Sequence, residues 1–416
     1  MINRERKVLE RLLNLVLRGT TLVSKFALLF VLAKFLEPLE VGLYGLFSAT
    51  IFYCLMALGF DFYTYSTREL IVTDRKKWAG MLRDQGIFYT ITYTILIPVS
   101  FLIFWFGFLP WELVFWFFPL LALEHVAQEL NRLLVAISEP LWASVILFIR
   151  QGCWAIMTAG ILWIFPEQRH LTFVLAAWTL GVSSACILGF IRLRNLDSSS
   201  LKLPVDWKWI KKGIKVASPF LLATLSLRAL YTSDRYWVEA ISGLEVLAAY
   251  VFFAGIANAI MSFLDAAVFS FTYPELIAAV GRKDTKGFKT QLRRMGIQTT
   301  LFTLTLSASA IILTEPIIHY IKRDVYSKHL PLLYWTILAT AISSISMIPH
   351  YGLYALRQDT SIIVSHIFSL PIFFIGTVIL LKFNDATSIP MSLTFTFLFL
   401  LIFKYLMLKR NNTFAA

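Results

Sequence analysis

The stretch Arg-Leu-Arg-Asn-Leu-Asp-Ser-Ser-Ser-Leu-Lys-Leu-Pro-Val-Asp-Trp-Lys-Trp-Ile-Lys-Lys-Gly-Ile-Lys, residues 192–215, decides how the rest of the chain is read. It carries seven Lys or Arg between two long apolar regions, with six apolar segments on each side. The serine run and Pro204 predict a flexible turn. Lys208, Lys211, Lys212 and Lys215, at helical spacing, predict a short amphipathic helix behind it. Trp207 and Trp209 are expected at headgroup depth.

Of the 416 residues 58% are hydrophobic and 15% charged, and the mean hydropathy is +0.71. A soluble domain of this length does not have that composition. The apolar runs are 12–35, 41–65, 86–108, 111–137, 141–164, 171–191, 216–238, 245–272, 295–314, 332–354, 361–382 and 388–408. Each approaches or exceeds the roughly 20 residues with which a helix crosses a bilayer. Continuous runs of this length exclude a membrane barrel, whose strands alternate over about ten residues. The expected fold is an all-α polytopic membrane protein with twelve transmembrane helices. Arg4, Arg6, Lys7 and Arg11 precede the first run without a small-residue cleavage site, so that helix is expected to be retained. The net charge of +13 belongs to the loops of a membrane protein and not to a nucleic-acid partner. Cys54, Cys153 and Cys186 lie inside apolar runs, with no disulfide framework or metal spacing. No phosphate-cradling glycine loop, paired metal-ligand histidines or nucleophile elbow occurs, and no cofactor is implied.

The loops fix an orientation. Lys and Arg number 26 in the segments of one side and 6 in those of the other, and the richer side is cytoplasmic, with both termini. The stretch 192–215 then divides two halves, an N-terminal six-helix bundle at 1–191 and a C-terminal one at 216–416. Leu39-Glu40-Val41 and Leu244-Glu245-Val246 open corresponding segments at an offset of 205, and Asp61 and Asp265 match at 204. Matches in one order at nearly one spacing predict a parallel repeat and two pseudo-symmetric bundles. The stretch 192–215 becomes a cytoplasmic tether that lets them rock.

Charges inside the apolar runs come next. Lys25, Arg150 and Arg228 lie nine or more residues from either end of their segments, about 14 Å or more deep. Each would cost about 2.5–3.5 kcal/mol facing lipid, so all three are expected to face a bundle interior or a wet cavity. Arg18 and Arg235 lie nearer the ends, within snorkelling reach. Glu124, Gln128 and Arg132, with His125 and Glu129, share one broad face of the fourth segment. One reading is an internal ion-pair network, with Glu124 or Glu129 against Arg150. The other is a cation-lined cavity whose carboxylates, or His125, titrate during transport.

Leu36-Glu37-Pro38-Leu39-Glu40-Val41-Gly42-Leu43-Tyr44-Gly45-Leu46-Phe47, Leu58-Gly59-Phe60 and Arg68-Glu69 resemble the first hairpin of the Wzx-type polysaccharide flippases. Asp234-Arg235-Tyr236 with Tyr250 is similar to the opening of that family's second half, although Ala248 stands where a glycine is expected. The resemblance implies the two-bundle fold of the multidrug and oligosaccharidyl-lipid exporter superfamily, in a bacterial cytoplasmic membrane. It also implies a substrate, an undecaprenyl-pyrophosphate-linked oligosaccharide moved to the outer leaflet, and polysaccharide polymerase machinery as a partner beside the membrane lipids. Guanidinium groups suit a pyrophosphate through bidentate, permanently charged bonds. The expected cavity cations are Lys25, Arg150, Arg228, Arg18 and Arg235. The expected coupling or gating groups, for a proton or sodium ion, are Glu124, His125, Glu129, Asp61 and Asp265. The alternatives are a multidrug or cation exporter of the same fold, whose cavity would be acidic, and a polytopic sugar polymerase or acyltransferase.

Overall fold

A computed structural model describes residues 2–194, 196–383 and 385–411, with side-chain surroundings for 12–194, 196–383 and 385–410. Arg4, Arg6, Lys7 and Arg11 lie outside the described side chains. The chain forms α1 (Ile2–Phe35), α2 (Pro38–Gly59), α3 (Tyr63–Val72), α4 (Trp78–Trp105), α5 (Val114–Ala136), α6 (Pro140–Phe148), α7 (Trp154–Ile164) and α8 (Leu171–Leu193) before residues 192–215 are complete. It continues with α9 (Trp207–Leu264), α10 (Ser270–Gly281), α11 (Thr285–Ile321), α12 (Asp324–Lys328), α13 (Leu330–Ala355), α14 (Asp359–Leu380) and α15 (Ser388–Asn411). Among the described residues there is no strand.

Among the described residues eleven stretches are long and apolar enough to cross a bilayer. One of them, Trp207–Gly281, has 75 residues, about 110 Å of helix at 1.5 Å per residue, against a hydrocarbon core of about 30 Å. It must be two passages. Gly243, at φ 81 and ψ 174, is where they meet, because that conformation is essentially closed to a residue with a Cβ. The passages therefore number twelve, as the apolar runs predict. Two of them contain π-turns that join consecutive helices, Ile149–Cys153 between α6 and α7 and Asp265–Phe269 between α9 and α10.

Packing divides the chain into two units, Met1–Leu36 with Leu46–Leu221, and Glu37–Gly45 with Leu222–Ala416. Residues 192–215 thus belong with the first unit and the first turns of α2 with the second, a division that differs from the sequence halves at both places. In the first unit α1 packs on α6 and α7, and α5 on α8. The serine turn expected to be flexible is held down. Ser200 is 5% exposed and its hydroxyl accepts the Gly80 N–H at 2.9 Å. The Arg83 guanidinium donates to the carbonyls of Leu201, at 2.7 Å, Leu203 and Pro204. The amphipathic helix is the first part of α9. Trp209 sits in an aromatic cluster, 5.4 Å from the rings of both Phe62 and Tyr65, while Trp207 and the lysines remain exposed. A docked strap replaces the expected loose tether, because the aromatic face of the helix has a hydrophobic partner in its own unit.

In the second unit α13 packs on α15 and α11, and α14 on α15. The first turns of α2 join it through close backbone approach. A Cβ on Gly42 would stand 2.2 Å from the Leu244 carbonyl oxygen. The two ends of that contact are the repeated motifs themselves, Leu39-Glu40-Val41-Gly42 and Leu244-Glu245-Val246.

Candidate functional site

A charge inside a spanning helix needs a partner, and the first unit provides several. Arg150 lies in the π-turn Ile149–Cys153, a local widening that leaves backbone groups without their usual helical partners. Trp154 Nε1 donates to the Arg150 carbonyl at 2.8 Å. Arg150 Nε and Nη2 donate to Glu124 Oε2 at 2.6 and 2.5 Å. Trp178 Nε1 donates to Glu124 Oε1 at 2.6 Å. The Arg150 and Glu124 side chains are 5% and 1% exposed, so the pair is closed on itself. This is the ion-pair alternative of the sequence, and it neutralises the charge that the cavity reading gives to Arg150.

Beside it, α5 presents a second group around His125 and Glu129. Tyr93 Oη and His125 Nδ1 share a hydrogen bond of 2.9 Å, while His125 Nε2 is buried without a partner. Glu129 Oε1 accepts from Arg132 Nη1 at 2.6 Å; its Oε2 accepts from Tyr89 Oη at 2.7 Å and Gln85 Nε2 at 3.0 Å. The Arg132 guanidinium lies 3.6 Å above the Tyr63 ring, a cation–π contact that fixes its plane. These side chains border a cavity of about 470 Å³ formed by α3, α4, α5 and α8, whose other walls include Leu82, Leu133 and Leu193. The cavity holds one carboxylate and one guanidinium already paired, an unpaired imidazole nitrogen, three phenols and apolar walls. It is therefore not a cationic cavity.

The remaining sequence candidates are dispersed. Lys25 Nζ donates to Gln151 Oε1 at 3.0 Å, and Arg18 Nε to Ser144 Oγ at 3.3 Å. Both keep exposed surface, as does Arg228 in the second unit. Among the described residues none of these three makes an ion pair. Arg235 Nη1 is 3.4 Å from Asp234 Oδ1, and Tyr250 Oη donates to Asp234 Oδ2 at 2.7 Å. That is a local structural cluster. Asp61 is 5% exposed in the left-handed turn that ends α2, at φ 49, and Asp265 is exposed in the second π-turn. Neither borders the cavity. No group of three metal-ligating side chains occurs among the described residues.

Sequence reasoning passes over two features. Gln85, Tyr89 and Tyr93 recur at four-residue steps on α4, a legible polar stripe hidden by the attention that full charges attract. Lys404, in α15, is 2% exposed. Four residues from the end of its apolar run, it is indistinguishable in sequence from a lysine that snorkels.

No family model and no curated protein sequence matches the chain. Solved structures do. An inward-facing multidrug resistance MATE family transporter of the MOP superfamily is similar at a TM-score of 0.76 and 13% identity, over 96% of this chain and 100% of that one. The outward-facing form of a transporter so described gives 0.67 and 14%, over 96% and 94%. A MATE structure in complex with MaD3S gives 0.66 and 15%, over 95% and 93%. At such identity the likeness is one of fold, and it covers nearly all of the chain. The neighbours are transporters, not enzymes.

Proposed function

We propose that the chain is a membrane transporter that exports small amphiphiles, and that the cavity of the first unit receives them from the cytoplasmic side. The carrying observation is the cavity's composition: about 470 Å³, within the range of drug-sized ligand sites, with apolar walls and the Glu129–Arg132 pair, His125 Nε2 and the Tyr89 and Tyr93 phenols as its polar patch. An apolar body would lie against the leucines. A basic or hydroxylated end would compete for Glu129, which gives up Arg132 to receive it. The likeness in fold to multidrug transporters supports this reading over a sugar polymerase.

A second reading has its own observation. Arg18, Lys25 and Arg228 are cations on spanning helices, exposed and, among the described residues, without an ion pair. They suit a pyrophosphate, and with the resemblance of the first hairpin they favour movement of an undecaprenyl-pyrophosphate-linked saccharide across a bacterial cytoplasmic membrane. One reconstitution separates the two. In liposomes, Glu129→Gln is expected to slow export of a cationic amphiphilic dye at least tenfold, while Lys25→Ala/Arg228→Ala leaves it unchanged. The reverse pattern, with lipid-linked saccharide moved and lost in the double variant, overturns the amphiphile reading in favour of the second. Transport of neither probe removes both.

A further inference from the structure

The second unit buries three bases together with no acid among them. His350 of α13 and His366 of α14 stack with ring centroids 5.9 Å apart and planes 5° from parallel. Lys404 of α15 is 2% exposed and lies near enough for its charge to act on both imidazoles. His366 is 8% exposed, and His350 Nδ1 is a buried atom without a hydrogen-bond partner. Among the described residues Lys404 forms no ion pair and no hydrogen bond. The three positions share one depth: His350 is five residues before the end of α13, His366 seven after the start of α14, and Lys404 seven before the end of α15. With the orientation fixed by the loops, all lie about 8–10 Å from the cytoplasmic helix ends.

Among the described residues no carboxylate forms an ion pair with any of the three bases. On α13, Tyr351 stands edge-on to His350 at 5.5 Å and is stacked on Tyr273 of α10 at 5.5 Å. The carboxylate that reaches this neighbourhood, Asp265, acts on Tyr351 and not on the imidazoles. Among the described residues no side chain of α11, which packs on α13, or of α14 forms an ion pair with the cluster. A buried ammonium with no partner is strongly disfavoured, and two stacked imidazolium rings beside it would repel one another. The cluster is stable with one excess proton or with none.

We propose that His350, His366 and Lys404 form a proton-binding site on the cytoplasmic side of the second unit, which holds one excess proton among three bases and releases it to water. Release leaves three neutral groups: the proton departs from Lys404 Nζ, or from an imidazole to which Lys404 has passed it, to a cytoplasmic water. Proton binding here does not depend on what is transported. Its use to drive export rests on the transporter reading above.

The two are tested separately. Full-length protein in lipid nanodiscs is titrated between pH 5 and 9 in weak buffer with an indicator dye and no substrate. Wild type is expected to bind one proton more over that range than Lys404→Met, and Lys404→Arg, which keeps a fixed charge, is expected to lose the same proton. His350→Gln/His366→Gln should move the midpoint of that step by about one pH unit, and it carries the test if Lys404→Met elutes as aggregate. Equal proton uptake in wild type and Lys404→Arg overturns the proposal. So does stabilisation of wild type, but not of Lys404→Met, by millimolar chloride or phosphate, since a resident small anion would then balance a permanently charged lysine. In liposomes an imposed pH gradient should accelerate dye export by wild type several-fold and by Lys404→Arg not at all. Proton uptake that survives without any export refutes the transporter reading and leaves the site standing.

Discussion

At the scale of the residue, the buried Arg150–Glu124 pair has the largest consequence. Two charges removed from water are tolerated because Arg150 meets Glu124 through two nitrogens and Trp178 satisfies the other carboxylate oxygen. Breaking such a pair leaves one buried charge alone, which costs about 3–5 kcal/mol, whereas replacing both members by apolar groups is often near neutral. Glu124→Leu is therefore expected to destabilise the protein by about that amount, and Glu124→Leu/Arg150→Met to recover most of the loss. Thermal unfolding in detergent measures both; a double variant as unstable as the sum of the singles would mean that the pair is not the unit. Sequence shows that Arg150 is too deep to face lipid, and depth is where sequence stops. Whether a deep cation meets a substrate or a carboxylate depends on which helix faces it, and Arg150 and Glu124 are 26 residues apart on different passages. Lys404 fails in the other direction. Its place near the end of an apolar run permits an exposed ammonium, and only the packing of α13 and α14 on α15 turns it inward.

At the scale of the element, the strap formed by residues 196–206 shows how long-range contacts escape a local reading. Serines, Pro204 and charges do describe a turn. The groups that immobilise it, Gly80 N–H, Arg83 and Asp84, lie about 120 residues upstream on α4, and nothing in the strap's own composition points to them. Arg83 holds three of its carbonyls, and hydrogen bonds from a charged donor contribute about 1.5–3 kcal/mol each when fully formed. The contacts are partly exposed, so Arg83→Ala is expected to weaken local closure by about 2 kcal/mol in all. Tryptic cleavage after Lys202 should then accelerate tenfold or more under conditions where cleavage follows the population of the open strap. An unchanged rate would show that Ser200 and the Trp209 cluster alone hold the segment. By contrast the spanning helices were legible almost throughout, because length and apolar composition are local properties. The structure adds only their ends, such as the start of α4 at Trp78 and not at 86.

At the scale of the molecule, twelve passages follow from two independent features: the apolar runs and the break at Gly243 inside a 75-residue helical stretch. The count has a topological consequence. An even number places both ends of the helical array on one side, and the excess of 26 basic residues over 6 predicts that this side is cytoplasmic. The direction of each proposed step follows from that assignment. Thiol labelling decides it. With Cys54, Cys153 and Cys186 replaced by serine, Glu167→Cys between α7 and α8 is expected to react with a membrane-impermeant maleimide on intact cells. Ser199→Cys, exposed in the strap, should react only after permeabilisation. Labelling of both sites on intact cells would mean that α8 (Leu171–Leu193) does not cross the membrane between them, and labelling of Ser199→Cys alone would reverse the orientation and with it the direction of transport.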